Sequence, residues 1–225
     1  MKYEYILFNL LVITGPLALS FDRRVRFVAH WGKALLSLLI AMVPFVSWDV
    51  LVTGRHWWFN DAYTLDVRLG GLPPGEWLFF VTVPFACLFT WEVLKGYFAN
   101  PPLPRMARVG RLLHLLIPAG VILFVLGKEY TGLALLALGL VAVLDRLLHT
   151  NIFRQKLTYP FLAISTAFML IFNGYLTARP VVLYGESYQL GLRIFTIPVE
   201  DFVYGYALLL LCLVVFERLK GGRHG

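Results

Sequence analysis

Mainly apolar stretches of about fifteen to twenty residues, separated by polar segments, recur along the whole chain. A bilayer core about 30 Å thick needs roughly 20 apolar residues in a spanning helix. The pattern therefore predicts seven transmembrane helices, near Tyr5–Phe21, Lys33–Val52, Trp77–Leu94, Leu112–Leu126, Leu133–Leu148, Tyr159–Leu176 and Phe202–Phe216, of which the fourth and fifth are short. Lys2 and the cleavage-like Ala18-Leu19-Ser20 would also suit a signal peptide. Glu4 weakens that leader and a later run matches it, so the first helix is expected to be retained.

Of the 225 residues, 59% are hydrophobic and 15% charged, which sets aside a soluble globular domain. The formal charge of +7 would suit nucleic acid, so its distribution decides the matter. Basic residues gather in alternate connections: Arg23, Arg24 and Arg26; Lys95, Arg105, Arg108 and Arg111; Arg146, Arg154 and Lys156; then Arg218, Lys220 and Arg223. The connections between them are balanced or acidic, with Asp49, Asp61, Asp66 and Glu76 in one and Glu186, Glu200 and Asp201 in another. By the positive-inside rule the N-terminus is outside and the C-terminus inside. Topology accounts for the charge, so the expected partner is the lipid bilayer and not nucleic acid. Cys87 and Cys212 fall within helices and are expected to be unpaired. His30, His56, His114, His149 and His224 have no metal-ligand spacing, so no metal site is expected.

The chain also repeats itself. An offset of 124 carries Glu76 onto Glu200, Pro74 onto Pro198, Thr53–Arg55 onto Thr177–Arg179 and Asp49 onto Asn173. Offsets one residue different match Arg68 with Arg193, Cys87 with Cys212 and Glu92 with Glu217. These matches predict an all-α integral membrane protein of two parallel three-helix repeats joined by a linking helix. The first repeat would occupy residues 1–100, the linker and fourth helix 101–128, and the second repeat 129–225. Prolines in "FANPPLPR", residues 98–105, mark the boundary. The connections at 53–76 and 177–200 are long and rich in Gly, Tyr and Trp, which suggests lids or interfacial caps.

Two short segments carry the candidate chemistry: "PPGEWLFF", residues 73–80, and "IPVEDFVY", residues 197–204. Proline suits a helical first turn, and a carboxylate just after it meets unpaired amides and the positive end of the helix dipole. Each glutamate therefore has a structural reading as a helix-start residue. Recurrence favours more than that, because Phe79 and Phe80 follow Glu76 by one turn and Tyr204 follows Glu200 by one turn. A carboxyl group against such a wall at bilayer depth is costly to ionise, which suits a proton donor. Asp201 points about 100° around the helix from Glu200. Asp49 and Asn173 are a further matched polar pair, and Trp58 with its neighbours is either an aromatic belt or part of a cavity wall.

With "HWWFN" before "GLPPGEWLFF", and "TIPVEDFVY" in the second half, nearly the whole chain resembles the membrane-embedded lycopene cyclase family of bacteria, archaea and fungi. Two three-helix units each carry a P-x-E-[ED] motif in that family. Pro198-Val199-Glu200-Asp201 matches it in full, whereas Pro74-Gly75-Glu76-Trp77 departs at the last position. The resemblance implies a cyclase for lycopene or a related linear carotene, forming a cyclic end group, of the β type, in a bacterial or archaeal cytoplasmic membrane. The chemistry is a non-redox isomerisation through a carbocation and needs no cofactor. Glu76, Glu200 and Asp201 would be the proton-transfer groups, and Trp58, Phe79, Phe80, Tyr204, Asp49 and Asn173 would meet the substrate. Self-association and contact with other carotenoid-pathway enzymes are both compatible with this reading.

The rivals separate on particular features. A retinal-binding protein needs a Schiff-base lysine in the last helix, and Phe202–Phe216 has none. A small membrane transporter would share the repeats and acids but wants a polar path, which the third and seventh runs lack below the motif. A carotenoid hydratase needs the same acid and differs only in where water stands. A membrane scaffold leaves the paired acids unexplained.

Overall fold

A computed structural model describes residues 2–221; Arg223 and His224 lie outside the described residues. Its helices in chain order are α1 (Glu4–Leu19), α2 (Trp31–Val52), α3 (Pro74–Tyr97), α4 (Ala107–Leu113), α5 (Leu116–Val125), α6 (Glu129–Leu147), α7 (Thr158–Ala178) and α8 (Val199–Leu219). Among the described residues six helical segments are long and apolar enough to cross a membrane, and α1 is a shorter apolar helix. In a water-free core each backbone N–H and C=O needs an internal partner, which is why apolar runs of this length become helices.

Two expectations change. The helices α3, α6 and α8 begin three or four residues before the apolar runs that announced them, because polar first turns are helical but not apolar. The single helix expected at Leu112–Leu126 is broken at His114–Leu115 into α4 and α5. Pro118 has no N–H to give to the His114 carbonyl, and Ile117 N bonds that carbonyl instead at 3.2 Å in the tighter i→i+3 pattern. Beyond the break α5 lies close against α6. A Cβ on Gly120 or on Gly132 would come within 2.6 Å of the other's carbonyl oxygen, so only glycine allows this backbone contact.

Helix α1 packs along α3 as α6 packs along α8. Helices α2 and α7 break this correspondence. The former buries Ala34, Ser37, Leu38, Ala41, Phe45, Val46, Asp49 and Val52 against its neighbours, chiefly α8 and α3. The latter touches α3 and α8 at few points and buries only Thr158, Phe161, Ser165 and Leu176.

The long connections meet above the bundle. Strand β1 (Trp57–Phe59) pairs antiparallel with β2 (Val182–Tyr184), aligning Trp57 with Tyr184, Trp58 with Leu183 and Phe59 with Val182. A second small ribbon pairs β3 (Arg193–Ile194) with β4 (Ile197–Pro198), leading into α8. At the opposite end of α3 and α8 four charges close a crossed clasp. Lys95 Nζ lies 2.9 Å from Glu217 Oε1, and Lys220 Nζ lies 2.7 Å from Glu92 Oε1.

Candidate active site

Helices α3 and α8 start alike. Pro73 is the N-cap of one and Pro198 of the other, which makes Glu76 and Asp201 the third residue of their respective helices. The Tyr5 hydroxyl donates to Glu76 Oε2 at 2.5 Å, and the Tyr130 hydroxyl donates to Asp201 Oδ1 at 2.6 Å. Each tyrosine lies 71 residues before its carboxylate. The counterpart of Glu76 is therefore Asp201, and the offset that aligned it with Glu200 is one residue short.

This register changes the meaning of the motif. The first half reads Pro73-Pro74-Gly75-Glu76 against Pro198-Val199-Glu200-Asp201, so its missing acid is at Gly75 and Trp77 is no departure. A Cβ on Gly75 would come within 2.6 Å of the Tyr5 ring, so that ring occupies the space another side chain would need. Asn9 fixes the arrangement by donating to the carbonyls of Gly75 and Tyr5 while accepting from Thr82 Oγ1.

One cavity of about 390 Å³ lies between α1, α3, α7 and α8, and Asp49, Glu76 and Asp201 line its polar end. Asp201 accepts three hydrogen bonds, from Tyr130, from the Tyr184 hydroxyl at 2.6 Å and from Asn173 Nδ2 at 2.8 Å. Asp49 Oδ1 accepts from Trp57 Nε1 at 2.5 Å, and its Oδ2 is buried without a partner. Glu200 is not part of the lining. Its Oε1 accepts from Thr131 Oγ1 at 2.6 Å and from the Leu190 amide at 2.7 Å, which ties α8 to α6 and to the loop before β3.

The aromatic groups divide in the same way. Tyr204 and Phe79 line the cavity; Phe80 is buried but outside the lining. Trp58 is 41% exposed, because alternation along β1 turns Trp57 and Phe59 inward and Trp58 away. Tyr204 is boxed by Phe45, Trp48 and Trp57 at centroid separations of 5.0, 4.9 and 6.2 Å. Tyr5, Tyr130 and Trp48 were not anticipated, although the repeated 71-residue interval from tyrosine to acid was available to find the first two.

The loops above supply two more polar groups. Burial, reinforced by the Asp201 carboxylate, pushes the Tyr184 phenol well above its ordinary value, which keeps it a hydrogen-bond donor. Burial pushes His56 below its ordinary value, opposed by Glu129, whose Oε2 lies 3.0 Å from His56 Nε2. Among the described residues no group of three or more His, Cys, Asp or Glu side chains is placed to hold a metal ion.

The sequence profile of a family described as lycopene cyclase matches the chain twice, over residues 2–94 and 127–219. The second match begins and ends 125 residues after the first, the interval that separates Tyr5 from Tyr130 and Glu76 from Asp201. No curated protein and no solved structure matched in the corresponding searches. With most of the chain covered, in the two halves that carry the matched tyrosine–acid pairs, this integral membrane protein belongs to the lycopene cyclase family.

Proposed function

We propose that the chain cyclises the end groups of lycopene or a related linear carotene to β-type rings, with Glu76 as proton donor and Asp201 as the ionised partner. The observation that carries this reading is the meeting of two equivalent carboxyl groups, one from each half, at one apolar, aromatic-walled cavity. An ionised carboxylate only accepts hydrogen bonds, and Asp201 has three donors around it. Glu76 accepts from Tyr5 on Oε2, which leaves Oε1 to carry the proton beside the cavity that Glu76 lines.

In the reaction the Glu76 O–H bond breaks as a C–H bond forms at the end-group alkene, producing a tertiary carbocation. A neighbouring double bond attacks it and closes a six-membered ring, moving the positive charge onto a ring carbon. Loss of a ring proton to a carboxylate forms the ring double bond and restores the proton count, so the product is an isomer of the substrate. Tyr204 and Trp57, packed edge to face and both in the lining, supply the π systems that would stabilise the cation. The apolar lining keeps out the water that would turn the cation into an alcohol. Glu200 is assigned to positioning, through Thr131 and Leu190, and not to proton transfer.

The seven-span layout, with α4 and α5 together as the fourth crossing, the division at 1–100, 101–128 and 129–225, and the N-outside orientation belong to the same proposal. Expression in bacteria that accumulate lycopene tests the function. A pigment of unchanged mass and shorter-wavelength absorption is expected. Gain of one water would replace cyclisation with hydration, and unchanged lycopene beside folded protein would overturn the reading.

A further inference from the structure

The cavity does not end at the acids. On α1 its lining descends from Tyr5 through Phe8 and Gly15 to Leu19, about 21 Å of helix at 1.5 Å per residue. Near the acid end α1 and α7 are in contact. The Phe8 ring meets Phe172 at 5.4 Å and stacks on Tyr175 at 6.2 Å, while Arg179 donates to Glu4 at 2.9 Å. Farther along, Leu11, Gly15 and Leu19 on one side and Phe168 on the other both line the cavity and are exposed. The cavity is thus capped beside the acids and open sideways below, where a bilayer would supply the solvent.

The opening follows from the unequal packing of α2 and α7. In the first half α2 lies tightly against α3 and α8, and its Phe45 contributes to the box around Tyr204. In the second half α7 stands away from both helices and leaves a slot. Gly15 is the smallest residue on the slot's rim. A Cβ there would have no heavy atom within 4 Å, so a larger side chain can start into open space at the rim.

We propose that a long linear polyene enters from the bilayer through the slot between α1 and α7 and lies along it with one end group at Glu76 and Asp201. Gly15 is the residue that keeps the slot passable. The assignment rests on the cyclase reading for the identity of the polyene. It goes beyond that reading in fixing the route and in admitting one end group at a time, since the acids stand at the capped end. Water-borne access from the ribbon side is the alternative it opposes.

Two measurements separate the route from the chemistry. The first is cyclic product in lycopene-accumulating cells for the wild type, Gly15→Phe, Gly15→Ala and Val43→Phe, normalised to folded protein. Val43 is on the exposed face of α2 and outside the cavity lining, so it controls for added bulk at the lipid surface. The second is lycopene retained by purified Glu76→Gln protein with and without Gly15→Phe. We expect Gly15→Phe to lower product and retained pigment at least tenfold, Gly15→Ala to lower them by less than Gly15→Phe, and Val43→Phe to stay within twofold of its parent. Gly15-dependent retention without any cyclic product from the wild type would sink the cyclase reading and leave the route standing. Product and retention unchanged by Gly15→Phe would overturn the route alone. Neither product nor retention in any form would overturn both.

Discussion

The two ends of the α3–α8 pair use carboxyl side chains in opposite ways. At the clasp end Glu92 and Glu217 each meet a lysine from the other half, with separations of 2.7 and 2.9 Å. At the acid end Glu76 and Asp201 meet tyrosine hydroxyls, and among the described residues no lysine or arginine side chain lines the cavity with them. A lysine neutralises a carboxylate and holds it ionised, which suits a fastening. A hydroxyl orients a carboxyl group and leaves its proton to be exchanged, which suits acid–base chemistry. Position along one helix therefore separates a joint from the proposed reactive centre.

The sharpest way to break this contrast is at Glu76. Glu76→Gln should lower cyclisation by about 10²- to 10⁴-fold, the usual contribution of a positioned acid or base, with the melting temperature in detergent little changed. Chromatography of extracted carotenoids checks it, and near-normal product would deny Glu76 its role. Asp201→Asn should be nearly as severe, whereas Glu200→Gln should act mainly through stability. Activity per folded molecule distinguishes these two, and a reversed order would return Glu200 to the centre.

Removing a tyrosine hydroxyl should cost less. Tyr130→Phe takes one of three donors from Asp201, and a hydrogen bond to a charged group is worth about 1.5–3 kcal/mol, so a loss of roughly 10- to 100-fold in kcat is expected. At the clasp, Glu217→Gln should reduce stability by about 1–3 kcal/mol while product per folded protein is unchanged. Exchanging the charges as Lys95→Glu with Glu217→Lys should recover part of that loss, which thermal melting in detergent would show.

The smallest effect concerns pH. Because burial holds His56 below its ordinary value of 6.5, the unfolded chain takes up a proton that the folded chain resists. Stability is therefore full above pH 6.5 and declines as the pH falls through that value, at no more than about 1.4 kcal/mol per pH unit for one proton. Melting curves at pH 7.5 and 5.5 should differ more for the wild type than for His56→Gln.

The membrane helices were legible in the sequence because hydrocarbon imposes one solution on a long apolar run. Their polar first turns were not, since no hydropathy pattern covers residues such as Glu76 and Glu129. The paired acids were visible, but matching glutamate to glutamate hid the one-residue correction. Identity of side chain competed there with identity of helical position, and the position emerged only with the tyrosine partners. Trp58 was favoured over Trp57 although strand alternation puts only one of two neighbours inside. The difference between α2 and α7 had no sequence signature, since both runs are mainly apolar with a few polar positions each and their packing partners are remote in the chain.

The β1–β2 ribbon has a consequence for assembly. Strand β2 is the second half's equivalent of β1, so the two halves present one strand to the other in a self-complementary, isologous contact. A second molecule carries the same two strands and could exchange halves with the first while keeping every ribbon hydrogen bond. What favours pairing within one chain is the effective concentration set by the α4–α5 tether. Shortening that tether until it no longer spans the two halves would thus be expected to trade monomers for domain-swapped pairs without altering the ribbon itself.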